Sequence, residues 1–259
     1  MNSKILFAAS IVTALLFISC SKNDSPSGPG AAINVNFSLT AGKVFNYQYS
    51  ELDSANNRVG TPQSVTEKIN AINRSYGGFN DVIQILNIAG GETDTSYMRV
   101  VSGKDIYQWM DTSAGLGMLT LDQIKNIFYK RTSAGIWVPL VLLSKGEGAE
   151  YVTQPKRTTI FQIDSVSSLP MTTEVKVKNE GFENVTVPAG TFKAYKIKTT
   201  FKVEILFGTT PVETINLNIN VWISDDLDYI VKQEQRSVTS ATFKMTLNGY
   251  VQELQSTGM

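Results

Sequence analysis

The amino-acid sequence predicts a mainly β protein: one large curved antiparallel sheet, a half-barrel or open barrel, with one short helix. Apolar and polar residues alternate with a period of two from about Asn34 onward, as in half-buried strands. Turns rich in glycine and asparagine separate the alternating stretches. Of the 259 residues, 42% are hydrophobic and 10% are aromatic, which favours a buried core over a disordered chain.

The clearest prediction is a hairpin between Tyr195 and Ile223, with its turn at residues 208–211. Polar side chains such as Lys196 and Lys198 alternate with its apolar ones. A strand of about a dozen residues is nearly 40 Å long, and strands of that length usually belong to a sheet that twists or curls. The apolar face carries Tyr195, Ile197, Phe201, Val203, Ile205 and Phe207 on the first strand and Ile215, Leu217, Ile219, Val221 and Ile223 on the second.

Weaker alternation predicts further strands, and only one segment is typical of a helix. Thr120 to Gln123 forms a capping box, and apolar residues follow at helical spacing as far as Phe128. This helix would either plug the curved sheet or serve as an ordinary connector. The additional strands are predicted at Lys43–Tyr49, Ser64–Asn73, Asp81–Ile88, Thr95–Val101, Asp105–Met110, Ile136–Leu143, Tyr151–Gln154, Thr158–Asp164, Tyr229–Val238 and Thr242–Val251.

Residues 1–19 are predicted to be a secretory signal peptide. Lys4 gives it a positive start, and an apolar run of 14 residues from Ile5 to Ile18 follows. As a helix this run would be roughly 21 Å long, too short to cross a hydrocarbon core of about 30 Å. The run ends at Ser19-Cys20, and this junction resembles a bacterial lipoprotein signal. The resemblance implies cleavage before Cys20 and lipidation of the cysteine; the alternative is an ordinary signal with a free Cys20 thiol.

Residues 20–32 are predicted to hold the lipidated cysteine and a flexible tether rich in serine, glycine and proline. Its 12 residues after Cys20 would have a root-mean-square reach of roughly 20 Å. The tether would hold the protein near a membrane without embedding it. Ser21 beside the cysteine is not the aspartate of an inner-membrane retention signal, so the outer membrane is predicted, on either its periplasmic face or the cell surface.

The rest of the chain, residues 33–259, is predicted to form a single β domain. No change of composition inside it marks a second domain. The alternative is two smaller β subdomains that meet near residues 111–135, where Ser113–Gly117 could serve as a linker.

Composition and motif spacing exclude several functions. With 23 basic and 23 acidic residues the chain has no net charge, which removes the usual basis for nucleic-acid binding. It contains no histidine, so histidine-dependent catalysis and histidine metal sites are excluded, and its single cysteine excludes an internal disulfide framework. The acidic turn Asp225–Asp228 lacks the glycine and glutamate of a calcium loop. No metal and no cofactor are therefore predicted.

Candidate catalytic groups are present but do not form a recognisable site. A serine nucleophile would need a neighbouring base, and without histidine only a pair such as Ser144 and Lys145 remains. Two carboxylates could hydrolyse a glycoside without histidine, yet nothing sets one pair apart. The protein is thus predicted not to be an enzyme and to have no catalytic residues. The carboxylates considered are Glu147, Glu150, Glu174, Glu180 and Glu183.

One segment carries a family resemblance. Val187 to Phe192 reads VPAGTF, which resembles a signature of uncharacterised envelope lipoproteins and periplasmic β proteins. Those proteins are in turn similar to the lipoprotein-carrier half-barrel superfamily. The resemblance implies a β fold and carries over no active-site residue. Pro188 and Gly190 are expected to shape a turn, after which Phe192 enters the next strand.

The predicted function is that of a lipid-anchored envelope protein that binds an apolar or amphipathic ligand without catalysis. Part of the apolar face of the hairpin would line a cavity of about 300–1,000 Å³, although the same residues could simply be core. The alternatives are a structural subunit that docks on another envelope protein and, less favoured, a carboxylate-only glycosidase. The predicted ligand-binding residues are Tyr195, Ile197, Phe201, Val203, Ile205, Leu217 and Ile219.

Overall fold

In the described residues, a twelve-stranded antiparallel sheet forms most of the structure. The computed structural model describes residues 36–110, 136–162, 168–242, 244 and 246–258. The strands are β1 Val44–Leu52, β2 Arg58–Tyr76, β3 Phe79–Ala89, β4 Glu92–Val101, β5 Asp105–Met110, β6 Ile136–Leu142, β7 Glu150–Gln162, β8 Ser168–Val187, β9 Gly190–Phe207, β10 Thr210–Ser224, β11 Tyr229–Gln235, β12 Val238–Thr239, β13 Thr246–Leu247 and β14 Gly249–Gly258.

The sheet curls so that its two edges approach each other. Its order is β6-β5-β4-β3-β2-β1-β14-β11-β10-β9-β8-β7, while β12 and β13 form a separate small hairpin. The edge strands β6 and β7 are consecutive in the chain and are joined through a short 3-10 turn at Leu143–Lys145. Both edges contain a proline, Pro139 and Pro155, a residue that sheets tolerate at edges because it cannot donate a ladder hydrogen bond. The predicted large curved antiparallel sheet is confirmed.

The antiparallel order defines two ends of the curled sheet. The N-terminal end is the one where β1 begins and where Phe37 N–H donates to the Gly103 carbonyl over 2.7 Å. The distal end carries the β9–β10 turn at Gly208 and the β12–β13 hairpin. Phe37 and Leu39, which precede β1, are buried in the core at the N-terminal end.

The strongly alternating hairpin forms as predicted. In β9 and β10, Phe201 lies opposite Leu217, and Tyr195 lies opposite Ile223. The paired apolar side chains face the inside of the curled sheet, where they join one continuous core. The lysines between them lie on the outer face, for example Lys196, which forms an ion pair with Glu180. Burial of the apolar row explains why this register is specified so clearly.

The VPAGTF turn is also where the sequence places it. Pro188 and Ala189 connect β8 to β9, Gly190 adopts a φ of 140°, and β9 begins there. The turn folds across the N-terminal end, because Ala189 N–H donates to the carbonyl of Leu254 in β14. Val187, just before the turn, is buried in the core.

Other strands differ from the prediction. The 20-residue β8 was not predicted, because a bulge at Asn179–Gly181 interrupts its alternation. The predicted strand Thr242–Val251 is divided before Gly249, where a Cβ would lie 2.3 Å from the Gln235 carbonyl oxygen. The two predicted pieces of β7 form one strand with bulges around Pro155.

Several predicted segments lie outside the described residues. These are the signal, Cys20 and the tether, and the helix at residues 120–128. No helix in the described part of the chain is long and apolar enough to cross a membrane.

Candidate functional site

The inside of the curled sheet holds an apolar cavity of about 100 Å³. Period-two alternation turns aliphatic side chains from many strands inward, so the cavity has a continuous apolar wall. Four polar residues also border it: Gln108, Thr199, Asp228 and Tyr229. The apolar wall includes Leu39, Ile85, Met98, Ile106, Ile197 and Val221.

Of the seven predicted ligand-binding residues, Ile197 lines this cavity. Tyr195, Phe201, Ile205, Leu217 and Ile219 are buried on the same face, and Val203 is half-buried. Their contribution to ligand binding remains a prediction. The cavity is smaller than expected, because the opposite wall from β3 to β6 and the segment before β1 fill much of the interior.

Tyr195 combines deep burial with an unsatisfied polar atom. Its ring packs edge-to-face on Phe182 at 5.0 Å between centroids. Its hydroxyl has no hydrogen-bond partner among the described residues. Burial raises the pKa of this hydroxyl, with a smaller contribution from the negative charge of Glu147. The hydroxyl therefore stays protonated at neutral pH and cannot serve as a base.

The wall formed by β1, β2, β11 and β14 carries a group of hydrogen-bonded polar and aromatic side chains. The Tyr229 ring stacks on Phe45 at 4.1 Å, and its hydroxyl donates to Glu67 Oε2 over 2.8 Å. Gln252 Nε2 donates to the other carboxylate oxygen of Glu67 over 3.5 Å. The Tyr47 hydroxyl donates to the Ile230 carbonyl over 2.8 Å. This wall thus places a carboxyl group and two phenol hydroxyls among buried apolar side chains such as Ile69 and Leu254.

Removal from water, which is partial for Glu67, changes the pKa values of this carboxyl and of the two tyrosines near it. Removal from water raises the pKa of the Glu67 carboxyl, while the hydrogen bonds from Tyr229 and Gln252 partly oppose the shift. Burial also raises the pKa of Tyr229 and Tyr47, and the nearby carboxylate adds to both shifts. Tyr229 borders the cavity, whereas Glu67, to which it is bonded, is not among the residues that line it.

Sequence reasoning missed Glu67, although a signal was present. Glu67 lies two residues from both Val65 and Ile69 and therefore shares their inward face. A carboxylate on an otherwise apolar face is the informative exception in an alternating strand.

The side chains considered as catalytic groups do not line the cavity. The Ser144 hydroxyl donates to Asp105 Oδ2 over 2.7 Å, and the Ser144 N–H donates to Oδ1. Glu180 forms an ion pair with Lys196, and Glu183 accepts the indole N–H of Trp222. No group of three or more acidic or cysteine side chains in the described ranges is arranged to hold a metal ion.

The distal end is covered by the β12–β13 hairpin. Glu213 in β10 accepts hydrogen bonds from the Ser240 hydroxyl at 2.7 Å and from Ala241 N–H at 2.8 Å. The bond from Ser240 is the main cause of a lowered Glu213 pKa. At the base of the hairpin, the Ser237 hydroxyl donates to the Asp53 carbonyl and accepts from Gly249 N–H.

Fold and interior define the class of protein: a single curled antiparallel sheet around an apolar cavity. Residues 94–239 match the family described as DUF3108-like. This match spans 146 of the 259 residues, counted from 94 to 239, and the chain belongs to the DUF3108-like family. No curated protein matches the chain.

Three solved structures are similar to the chain. A candidate lipoprotein from Parabacteroides distasonis is 12% identical with a TM-score of 0.49, over 86% of this chain and 99% of that one. A candidate exported protein with a YmcC-like fold from Bacteroides fragilis is 13% identical with a TM-score of 0.41, over 87% and 99%. The hypothetical lipoprotein YmcC from Escherichia coli is 7% identical with a TM-score of 0.32, over 83% and 84%. All three are too distant for their descriptions to be transferred.

Proposed function

We propose that this protein is a lipid-anchored, non-catalytic component of the bacterial cell envelope whose interior binds an apolar or amphipathic ligand. The observation that supports binding is the cavity of about 100 Å³ inside the curled sheet, with its mainly aliphatic wall. Concave apolar sites with a few polar groups are the usual form of small-molecule sites.

The chemistry of the wall suggests the kind of ligand. An acyl segment would contact Ile85, Met98 and Val221, while Gln108 and Asp228 at the border could hydrogen-bond a polar group. The volume suits a short apolar segment rather than a whole phospholipid. A ligand of this kind would be bound mainly by removal of its apolar surface from water.

The anchor is proposed from the sequence. Cys20 follows a signal-like segment, and 15 residues separate it from Asn36, where the described structure starts. Several acyl chains on one cysteine would hold the protein at the membrane, because each buried methylene contributes about 0.8 kcal/mol. The outer membrane is the proposed location.

The ligand proposal predicts that lipid co-purifies with the protein. The full chain would be extracted from membranes in a mild detergent, and native mass spectrometry would read the non-covalent adduct. Val221→Phe fills the cavity, whereas Val152→Phe changes an exposed side chain in the same way. Val221→Phe should lower adduct occupancy at least about tenfold, and Val152→Phe should leave it unchanged.

Thermal unfolding shows whether each variant is folded. If Val221→Phe does not fold, Leu140→Phe places the same ring at a half-buried position in the cavity wall. Equal occupancy in a folded cavity variant and in the control, or no adduct in any sample, would contradict the proposed ligand site.

A docking role remains the second proposal. The tip of the β9–β10 hairpin exposes 82% of Phe207 and 52% of Val212. Two exposed apolar side chains at one tip are typical of a small contact with another protein. Site-specific crosslinking from residue 207 in cells, with residue 152 as a matched position, would test whether this tip has a defined partner.

A further inference from the structure

We propose that an aromatic patch on the outer face rests in the phospholipid headgroup region of the same membrane that anchors Cys20. The patch consists of Tyr76, Phe79, Tyr97, Trp109, Trp137 and Arg99. This inference rests on the proposed lipid anchor and adds the orientation of the folded part relative to the bilayer.

The patch forms because the β2–β3 hairpin folds back over the outer face of β4 to β6. Trp137 Nε1 donates to the Gly77 carbonyl over 3.0 Å, which fixes the turn of the hairpin on the sheet. Gly77 has a φ of 56°, and a Cβ there would lie 2.6 Å from the Trp109 ring. The hairpin thus sits in direct contact with the two tryptophans.

The rings support one another. Tyr76 stacks on Tyr97 with centroids 3.6 Å apart and meets Trp109 edge-on at 5.3 Å. Trp137 packs edge-on against Trp109 at 5.4 Å and against Phe79 at 6.0 Å. Edge-to-face and stacked pairs of this kind stabilise an arrangement beyond simple burial. The patch is therefore a fixed surface and not a set of independent side chains.

Arg99 gives the patch its amphipathic character. Its guanidinium carbon lies 3.4 Å from the centroid of the Phe79 ring, and two of its nitrogens donate to Asp81 at 2.7 and 2.8 Å. These bonds lower the pKa of the Asp81 carboxyl, so the pair stays ionised. A paired arginine beside tryptophan and tyrosine matches the membrane interface, where such side chains place polar groups in water and rings in the headgroup region.

Within the part of the chain that the structure describes, the patch is partly exposed to solvent. Phe79 is 41% exposed, and Ile72 on the other strand of the hairpin is 39% exposed. Tyr76, Tyr97, Trp109 and Trp137 are half-buried. Contiguous half-exposed aromatic surface is uncommon on a protein that contacts only water.

The start of the described chain favours the membrane as the occupant. Phe37 is hydrogen-bonded to Gly103, in the turn between β4 and β5, and these two strands carry Tyr97, Arg99 and Trp109. The 15 residues between Cys20 and Asn36 give a flexible reach of roughly 20 Å. Tyr97 and Trp109 lie six residues before and after Gly103, roughly 20 Å along their strands, so the patch is within the reach of the tether.

Exposed apolar side chains at the distal end lie far from the start of the described chain. Phe207 ends β9, a strand of 18 residues that begins at the N-terminal end. At about 3.3 Å per residue this path approaches 60 Å, well beyond the reach of the tether. Phe207 is thus a matched control: an exposed phenylalanine that the anchor keeps away from the bilayer.

The experiment uses the full chain, with lipidation of Cys20 read by intact mass, reconstituted into vesicles of phosphatidylethanolamine and phosphatidylglycerol. Phospholipids brominated near the glycerol end of their acyl chains quench the fluorescence of tryptophans at the interface. We expect clear quenching of the native protein, a loss of about half of it in Phe79→Ser, and no change in Phe207→Ser. Thermal unfolding checks each variant, and Phe79→Thr replaces Phe79→Ser if that variant does not fold.

Each outcome supports or overturns the proposal that the aromatic patch rests on the membrane. A lipidated protein without quenching, or equal quenching in both variants, overturns the docked orientation and leaves the anchor intact, which would point to a protein or carbohydrate at the patch. An unmodified cysteine overturns the anchor instead. Co-sedimentation of that unmodified full chain with the same vesicles then tests the patch alone: loss of binding in Phe79→Ser supports docking, and no binding of the native chain overturns it.

Discussion

Asn179 joins the two edges of the sheet through one fully buried side chain. Its Nδ2 donates to the carbonyls of Leu142 and Gly146, each over 2.9 Å. Its backbone N–H donates to Ala149, and its carbonyl accepts from Gly148. The Tyr151 hydroxyl lies 3.5 Å from its Oδ1 and accepts from Leu142 N–H. A single amide therefore satisfies backbone groups that an open sheet edge would leave unpaired.

Replacing this amide by a carboxyl predicts a pH-dependent loss of stability. In Asn179→Asp, a carboxylate would face two carbonyl oxygens, which should cost about 2–4 kcal/mol at neutral pH. Because burial raises the pKa of such a group, the protonated acid becomes an acceptable donor and the loss should shrink at acid pH. Urea unfolding between pH 4 and 8 measures the effect, with the exposed Asn184→Asp in the same strand as control. A similar loss in both variants would contradict the role of Asn179.

At the scale of elements, hairpins here do more than connect strands. The β2–β3 hairpin covers outer aromatic side chains, the β8–β9 turn crosses the N-terminal end, and the β12–β13 hairpin crosses the distal end. Each is held by a few side chain or backbone bonds to a strand distant in sequence, such as Ser240 to Glu213. Hairpins are thus the part of this fold in which local sequence says least about final position.

Two adjacent glycines test the packing of the β2–β3 hairpin. Gly77 and Gly78 both have positive φ, at 56° and 87°, so alanine strains the backbone at either position. Only at Gly77 would the new methyl group collide with the ring of Trp109. We expect Gly77→Ala to cost about 1–3 kcal/mol more than Gly78→Ala by urea unfolding, with a change in tryptophan emission. Equal costs would show that contact with the indole rings does not hold the hairpin.

At the scale of the whole molecule, the buried carboxyl of Glu204 and the half-buried carboxyl of Glu67 lie in opposite environments. Glu204 on the outer face accepts from Lys156 Nζ at 2.5 Å, Lys202 Nζ at 2.6 Å and the Thr172 hydroxyl at 2.8 Å. These hydrogen bonds, first that from Lys156, lower the pKa of Glu204 to about 2. Glu67 inside the sheet has a raised pKa because burial outweighs its hydrogen bonds.

The two carboxyls predict opposite pH trends for the same substitution. The lowered pKa of Glu204 stabilises the fold above pH 4.5, its ordinary value, and the contribution is lost as the pH falls toward about 2. The raised pKa of Glu67 gives a contribution that is complete below pH 4.5 and is lost as the pH rises through the folded-state pKa. Glu204→Gln should therefore lose stability relative to the native chain as the pH rises, while Glu67→Gln should gain.

Urea unfolding of both variants from pH 2 to 8 measures these trends. The exposed Glu150→Gln provides a control for loss of a surface charge. Trends of the same sign in both variants would contradict the assignment of Glu67 to the interior or of Glu204 to the charged outer cluster.

Much of the fold could be predicted where one pattern repeats without interruption. The β9–β10 pair has the predicted faces because its register runs without a shift from Glu213 to Ser224 and one face is buried. The bulge at Asn179 shifts the faces of β8 partway along, so the same argument fails there. The inward position of Glu67 was readable from Val65 and Ile69, but its bond to Tyr229 joins residues 162 positions apart.

By itself, the sequence determined the curved antiparallel sheet, its main hairpin and the VPAGTF turn, because alternation and turn chemistry act between near neighbours. Only the tertiary structure decided how Asn179 closes the edges, how small the cavity is, and which aromatic side chains form the outer patch. Those features depend on contacts between residues far apart in the chain, and no local pattern specifies which distant partner a side chain will meet.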